Sequence, residues 1–493
     1  MPSYFVACDL GAESGRVMLG TLTDGTLALE EIHRFPNLPV RIGDSLRWDI
    51  LGTFRELKAG LRTIAARDVP VTSLSVDSWG VDYVWVGAGQ PMLAPPYVYR
   101  DERIDAAYAS ATARVSKDLI FEQTGLQFMA FNTLYQLCSD LEHSPALIDA
   151  ADRFLCIADF FNYLFSGVGC IEESLASTTQ VYNPRIKNWS QPLIDAFGLP
   201  ARVFPEIVAS GSRLGPITAA IARETGLKSI VDVIATCSHD TGAAVAAVPA
   251  AEGNDWAYLS SGTWSLIGVE LPEPLINAES QAANFTNEGG YGGTTRFLKN
   301  VVGLWILQEC RRSWEAEGRI FDYSELTNLA TRAPALVSLI DPADDRFVKP
   351  GGMPQKIEAF CRETNQPIPD CPGAFVRCIF ESLALMYRRQ LSNIESLTGR
   401  TIRTLHIVGG GSQSTLLNQF SANATGRQVI AGPVEGTAIG NILIQAITAN
   451  QLGSLNALRE CVAASFPVTA FSPEDEETWA EAFRRFESMT ASG

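Results

Sequence analysis

The chain has 493 residues, 46% of them hydrophobic and 19% charged, a globular profile too long for one core and suited to two large domains or roughly three. Its formal charge of −17, from 38 basic and 55 acidic side chains, excludes a nucleic-acid or anionic-membrane surface as the main partner. Ten cysteines occur without a CxxC pair, which excludes zinc-ribbon and thioredoxin-like readings and fits a reducing compartment.

In chain order, MPSYFVACDLGAESGR carries Asp9 and Glu13 where a signal peptide needs apolar residues. No apolar run approaches the roughly 18 residues of a membrane span, and a cytoplasmic protein is expected. YFVACDL (4–10) and GRVMLGTL (15–22) are short apolar runs, and TLALEEIHRF (26–35) alternates like a third strand. Their turns are short, so the three should pair as an antiparallel meander. Residues 49–67 place Ile50, Phe54, Leu57, Leu61 and Ile64 at helical spacing, and VTSLSVDSW (71–79) returns to strand character. These elements describe a mixed α/β sheet.

IVDVIA (230–235) reads as a buried strand that runs through TCSHDTGAA (236–244) into a small-residue helix. Burial makes His239, Asp240 and Thr241 each costly there. Asp240 as a helix N-cap and Asp240 as a catalytic carboxylate both fit. A similar plan restarts after residue 250: strands at 256–261 and 262–270, a Gly-rich tract with strands at 287–300, a long helix at 373–399 and a strand at 403–411. Helical patterns follow at 414–425 and 435–449. The Pro-containing stretch 243–253 divides the halves, predicting domains at 1–245 and 246–493. Cys361, Cys371 and Cys378 cluster loosely; buried free thiols and an oxidisable pair both fit.

Three Gly-rich turns follow predicted strands: DLGAESGR (9–16), SSGTWS (260–265) and VGGGSQS (408–414). Amides of such turns form concave donor arrays for phosphate, and a positive φ is expected at Gly410. Other phosphate-site and hydrolase signatures are missing. None of the seven lysines follows a glycine, so there is no Walker A loop. No GxGxxG follows the first strand and no GxSxG exists. His33, His143, His239 and His406 are too dispersed for HExxH. What remains is a phosphate-binding protein that uses Mg²⁺, hairpin amides and hydroxyls.

Asp9-x-Gly11-x-x-Ser14-x-Arg16 on the first hairpin, Asp240 before a small-residue helix, SSGTWS and a late strand ending in Gly-Gly-Gly together resemble the FGGY family of carbohydrate kinases. That family belongs to the actin/Hsp70/hexokinase-like ATPases. Within it the chain is similar to the L-rhamnulose kinases. The blocks that carry this likeness are DLGAESGRVMLG, VDSWGVDYV, FNTLYQL, SHDTGAA, YLSSGTWSLIG, NEGG with LKNVVGLWILQ, DPADDRFVKP, CRETNQPIP, LHIVGGGSQSTLLNQF and IAGPVEGTAIGN, in the same order over roughly residues 4 to 450.

The resemblance implies an α/β protein of two domains, each a mixed β-sheet flanked by helices, with an interdomain cleft. The first domain would carry the sugar side and first phosphate loop, the second the nucleotide side. It implies ATP-dependent phosphorylation of the 1-hydroxyl of L-rhamnulose, with Asp240 as general base kept ionised by the helix dipole. Gly80, His239, Asp240, Thr241 and Asn300 match sugar-contacting positions. Ala12, Glu13, Ser14, Gly15 and Arg16 match the first phosphate loop, and Thr263, Gln308 and Gly410 match nucleotide-contacting positions. Many relatives have Thr where this chain has Ala12, so one hydroxyl contact is missing here. Asp9 is placed to hold Mg²⁺ through water, and Asp77 reads as structural. Trp79 and Asp82 flank Gly80; the indole of Trp79 suits either a sugar face or a core.

The expected partners are therefore ATP, Mg²⁺ and a small sugar, with no nucleic acid and no membrane, in a monomer or small homo-oligomer. A kinase for L-fuculose or L-ribulose is the near alternative. A nucleotide-driven switch of the actin or Hsp70 kind is the distant one, and the sugar-side blocks SHDTGAA and VDSWGVD argue against it.

Overall fold

A computed structural model describes residues 1–251, 253 and 255–490. The chain divides into two compact units. The first comprises Met1–Ala251, Glu270–Phe297 and Gly436–Phe466, and the second Glu252–Val269, Leu298–Glu435 and Pro467–Gly493.

The first unit is organised by β1 (Ser3–Leu10), β2 (Ser14–Thr23), β3 (Thr26–Pro36), β4 (Val71–Ser78), β5 (Ser212–Pro216) and β6 (Asp232–Ala235). They form a six-stranded sheet in the order β5-β6-β4-β1-β2-β3. β1, β2 and β3 are the expected antiparallel meander, while β4 runs parallel to both β1 and β6. Alternate residues of β1 face two different cores. Val6, Cys8 and Leu10 pack with Leu57, Leu61 and Ile64 of the helix Ile50–Ala65. Phe5 and Ala7 pack with Ile439, Ile442 and Leu443 of the helix Gly436–Thr448. Burial on both faces is why β1 reads as an unbroken apolar run. Asp49 starts the first of these helices by accepting a hydrogen bond from Gly52 N at 2.9 Å.

The helix Gly436–Thr448 joins the first unit although it follows most of the second in the chain. Gln445 shows how: its amide nitrogen donates to Val6 O at 2.9 Å, and its Oε1 accepts from Ser73 at 2.7 Å. Close approach comes from Gly440, where a Cβ would lie 1.9 Å from Ala243 O and 2.6 Å from its carbonyl carbon. Backbone cannot yield as a side chain does. Gly440→Ala is therefore expected to destabilise the protein by about 1–3 kcal/mol and to displace the helix Asp240–Ala246 that Ala243 belongs to. A denaturant midpoint equal to that of the wild type would contradict this.

The second sheet repeats the plan. Its strands β7 (Trp256–Ser261), β8 (Trp264–Leu271), β9 (Thr295–Val302), β10 (Thr404–Val408), β11 (Gln428–Ala431) and β12 (Thr469–Phe471) lie in the order β9-β8-β7-β10-β11-β12, with Thr286–Gly289 beyond β9. β7 pairs antiparallel with β8 and parallel with β10, which runs parallel to β11. In each sheet, then, a hairpin strand neighbours a parallel pair. The helix Pro372–Thr398 has Pro at its start and Gly399 in the left-handed conformation at its end (φ 68°), the signals expected of its boundaries. All ten cysteines are free thiols. Cys361 and Cys378 are buried and hydrogen-bonded to each other, while Cys371 is exposed.

Candidate active site

Three aspartates meet at the C-terminal edge of the first sheet. Asp9, near the end of β1, lies directly opposite Asp77 of β4, with Arg16 of β2 on its other side. Asp240 follows β6, at the point where Ser78 bridges to His239. Parallel pairing of β1, β4 and β6 thus turns three distant sequence positions into one acidic edge. Arg16 is ion-paired with Asp9. Asp77 is completely buried; Asn441 donates to its Oδ2 at 2.5 Å, and its Oδ1 finds no hydrogen-bond partner among the described residues. Burial, then the Asp9 charge, push the Asp77 carboxyl well above the usual carboxylate range.

The Asp240 side chain keeps 32% of its surface open. Its Oδ1 accepts from Thr241 N at 2.6 Å and from Thr241 Oγ1 at 3.2 Å. His239 occupies the N-cap position without a side-chain capping bond, and Asp240 is the first helical residue. The capping role for Asp240 is thereby replaced by that of an open carboxylate. The helix start was expected to keep this carboxyl ionised. Desolvation, followed by the Asp9 charge, raises the carboxyl to about 7, against the opposing bonds from Thr241.

Beside these groups lies the VDSWGVD segment. Gly80 is tight against Thr178, where a Cβ would lie 3.0 Å from the side chain. Val81 has φ +70°, a strained conformation for a β-branched residue. It is held by Thr178 Oγ1, which accepts from Val81 N at 3.3 Å, and by Thr133 Oγ1, which donates to Val81 O at 2.7 Å. Asp82 is buried and accepts from Trp48 Nε1 (2.7 Å), Trp79 Nε1 (3.0 Å), Gln136 Nε2 (3.1 Å) and Tyr99 N (3.2 Å). Even so, burial raises its carboxyl to about 6. The Trp48 and Trp79 rings stand 4.5 Å apart. Trp79, only 9% exposed, is a core residue fixed by Asp82. This clamp has no local sequence signal, because one partner, Trp48, lies in a separate hairpin (Pro39–Ile42 with Ser45–Trp48).

The turn between β1 and β2, where the first phosphate loop was expected, is closed by Gly11 N donating to Ser14 O at 2.9 Å. Gly15 is required by packing, since a Cβ would lie 2.3 Å from the Phe35 ring. In the second unit, Thr263 O accepts from the amides of Gly303 and Trp305, both at 3.1 Å. The Gly409–Gly411 turn packs on Ser261 of the adjacent strand. The positive φ belongs to Gly409 (+83°) and not to Gly410. A Cβ at Gly411 would lie 2.0 Å from Ser261 Oγ, whereas one at Gly410 meets nothing within 4 Å. Gln308 sits on the helix Trp305–Ala316 with its Oε1 buried and unbonded among the described residues. The expected sugar contacts are divided: Gly80 and His239–Thr241 belong to the first unit and Asn300 to the second.

Among the described residues no group of three His, Cys, Asp or Glu side chains is arranged to hold a metal ion by itself. The acidic edge fits instead a cation that keeps water and phosphate oxygens in its shell, the habit of Mg²⁺. Asp9, whose charge raises both of its acidic neighbours, is the group that such a cation would relieve. No helix among the described residues is long and apolar enough to cross a membrane.

Residues 4–247 match the N-terminal domain of the FGGY family of carbohydrate kinases, and residues 257–449 its C-terminal domain. The chain is 43% identical over 488 residues to a rhamnulokinase of Bacteroides thetaiotaomicron, covering 99% of each chain. It is 42% identical over 487 residues to a rhamnulokinase of Pectobacterium atrosepticum, covering 98% of this chain and 96% of that one. The fold is similar to the crystal structure of gluconate kinase from Lactobacillus acidophilus, with a TM-score of 0.81 and 16% identity over 100% of this chain and 98% of that one.

Proposed function

The chain belongs to the FGGY family of carbohydrate kinases, and from that premise we propose that it transfers the γ-phosphoryl group of ATP to the 1-hydroxyl of L-rhamnulose, giving L-rhamnulose 1-phosphate and ADP. The observation that carries the chemistry is Asp240: a partly open carboxylate raised to about 7, poised near neutral pH to take a proton from a hydroxyl. The choice of sugar rests on the rhamnulokinases that match nearly the whole chain.

In this reading Asp240 accepts the proton as the sugar oxygen attacks the γ-phosphorus. Gly80, His239, Thr241 and Asn300 hold the sugar. Amides and hydroxyls of residues 12–16, with Thr263, Gln308 and Gly410, hold the nucleotide. Mg²⁺ bound with the nucleotide supplies charge neutralisation at the phosphates, and Asp9 is the residue that would hold it, through water. Arg16, paired with Asp9, keeps that carboxylate oriented. Phosphoryl transfer asks for little more than such alignment and charge stabilisation.

The test is a panel of ketoses with ATP and Mg²⁺, read as kcat/KM for each. L-Rhamnulose is expected to exceed L-fuculose and L-ribulose by at least about tenfold, the discrimination that one well-placed apolar or polar contact gives. A higher value on L-fuculose would keep the kinase and replace its substrate.

A further inference from the structure

His239 lies against three charged groups, two of which play no part in the scheme above. Its Nδ1 is 3.2 Å from an Arg296 guanidinium nitrogen and 3.8 Å from Glu288 Oε2. Its Nε2 is 3.7 Å from Asp240 Oδ1. Arg296 is fully buried and cannot swing away: its Nε donates to Gly289 O at 2.9 Å, and its NH2 nitrogen lies 3.1 Å from Glu288 Oε2. The His239 backbone is pinned as well, its N–H donating to Ser174 Oγ at 3.0 Å.

A guanidinium carries only donors. At its contact with Arg296, Nδ1 must therefore present a lone pair, and the single proton of the neutral ring sits on Nε2. Two arrangements compete for this ring. Glu288 and Asp240 would favour an imidazolium; Arg296 and burial oppose it. The opposition wins, and the ring is pushed well below its usual pKa by desolvation first and the Arg296 charge second. Among the described residues, Glu172 reaches the same turn, accepting from the neighbouring Ser238 N at 2.9 Å, and Asp77 lies one residue before Ser78, which bridges to His239.

We propose that Glu288 and Arg296 are positioning residues that lock His239 as the neutral Nε2–H tautomer, aimed at the Asp240 carboxylate. This rests on Asp240 being the base. A neutral N–H there can donate to a sugar oxygen beside the attacking hydroxyl without competing for the proton that Asp240 must take. An imidazolium would pair with Asp240, lower its basicity and withdraw it from the hydroxyl. Glu288 balances the Arg296 charge in a buried site, so the lock does not leave an unpaired cation. The sequence signal is faint: a glutamate and an arginine on either side of the Gly-rich turn in NEGGYGGTTRF.

The direct test is ¹⁵N NMR of the wild-type protein with labelled histidine, a label with only four residues to assign. The His239 ring should show an unprotonated Nδ1 and a protonated Nε2, without titrating between pH about 5.5 and 8.5. A ring with its proton on Nδ1, or one titrating near its ordinary midpoint, overturns the proposal without bearing on whether the enzyme is a sugar kinase. Arg296→Gln should bring the titration into that window. It should lower kcat at neutral pH by about tenfold or more, with recovery as pH rises and the ring loses its proton. Glu288→Gln in the same chain should restore a neutral ring and much of kcat. A double variant no better than Arg296→Gln, with ATP affinity and thermal midpoint matching the wild type, would also overturn it. Failure of the ketose panel, by contrast, would reject the kinase reading and leave the tautomer standing.

Discussion

Asp240→Asn is expected to lower kcat by about 10²–10⁴-fold, the usual cost of losing a general base, while ATP affinity by calorimetry stays near that of the wild type. Asparagine keeps the shape and can still accept from Thr241, whose two bonds to Oδ1 hold the side chain, so the loss reports chemistry and not local collapse. The wild-type pH profile reads the same group a second way. In the metal-free protein burial and Asp9 raise its carboxyl to about 7; the base is lost on protonation, so kcat/KM should fall about tenfold per unit of pH on the acid side, with a midpoint that moves down when Mg²⁺ neutralises Asp9. The sign follows from the role: an acid catalyst would lose activity in the other direction. The variant should lose this limb. A variant retaining more than half of the wild-type kcat would remove Asp240 from the mechanism.

The second large effect is expected at Gly410. Its neighbours are constrained by the protein itself: Gly409 by positive φ and by Ser261 O at 3.1 Å from an added Cβ, Gly411 by Ser261 Oγ at 2.0 Å. Of the three, only Gly410 opens onto space free of protein within 4 Å. Gly410→Val should therefore fold normally and still weaken ATP binding by about 10–100-fold, the equivalent of the 1–3 kcal/mol of overpacking against a bound nucleotide. Gly411→Ala should do the opposite, lowering the thermal midpoint whether or not nucleotide is present. Unchanged ATP affinity in Gly410→Val would show that the turn does not touch the nucleotide.

How much of this was legible in the chain differs from place to place, for physical reasons. The meander at Ser3–Pro36 was readable because its turns are short and its runs apolar, and the helix Ile50–Ala65 because its period and its Asp49 cap agree. The strand, turn and helix start around Asp240 were readable from composition. Its raised pKa was not, because the neighbouring charge that contributes most is Asp9, which only the parallel pairing through β4 brings close. The helix Gly436–Thr448 also hid its destination, since a sequence does not say which of two similar sheets an apolar helix covers. Gly-Gly-Gly marked a tight turn without saying which glycine needs the left-handed conformation. Glu288 and Arg296 gave the least warning: a charged residue on a strand looks solvated until its neighbours bury it.

If Asp240 is the base, phosphoryl transfer must wait for a sugar hydroxyl delivered to its carboxylate. ADP release by the wild-type protein, with ATP and Mg²⁺ in the absence and presence of saturating L-rhamnulose, measures that dependence directly. The sugar is expected to accelerate ADP release by at least about two orders of magnitude, with one phosphate monoester formed per ADP. Fast ADP release that is indifferent to any sugar would contradict the mechanism.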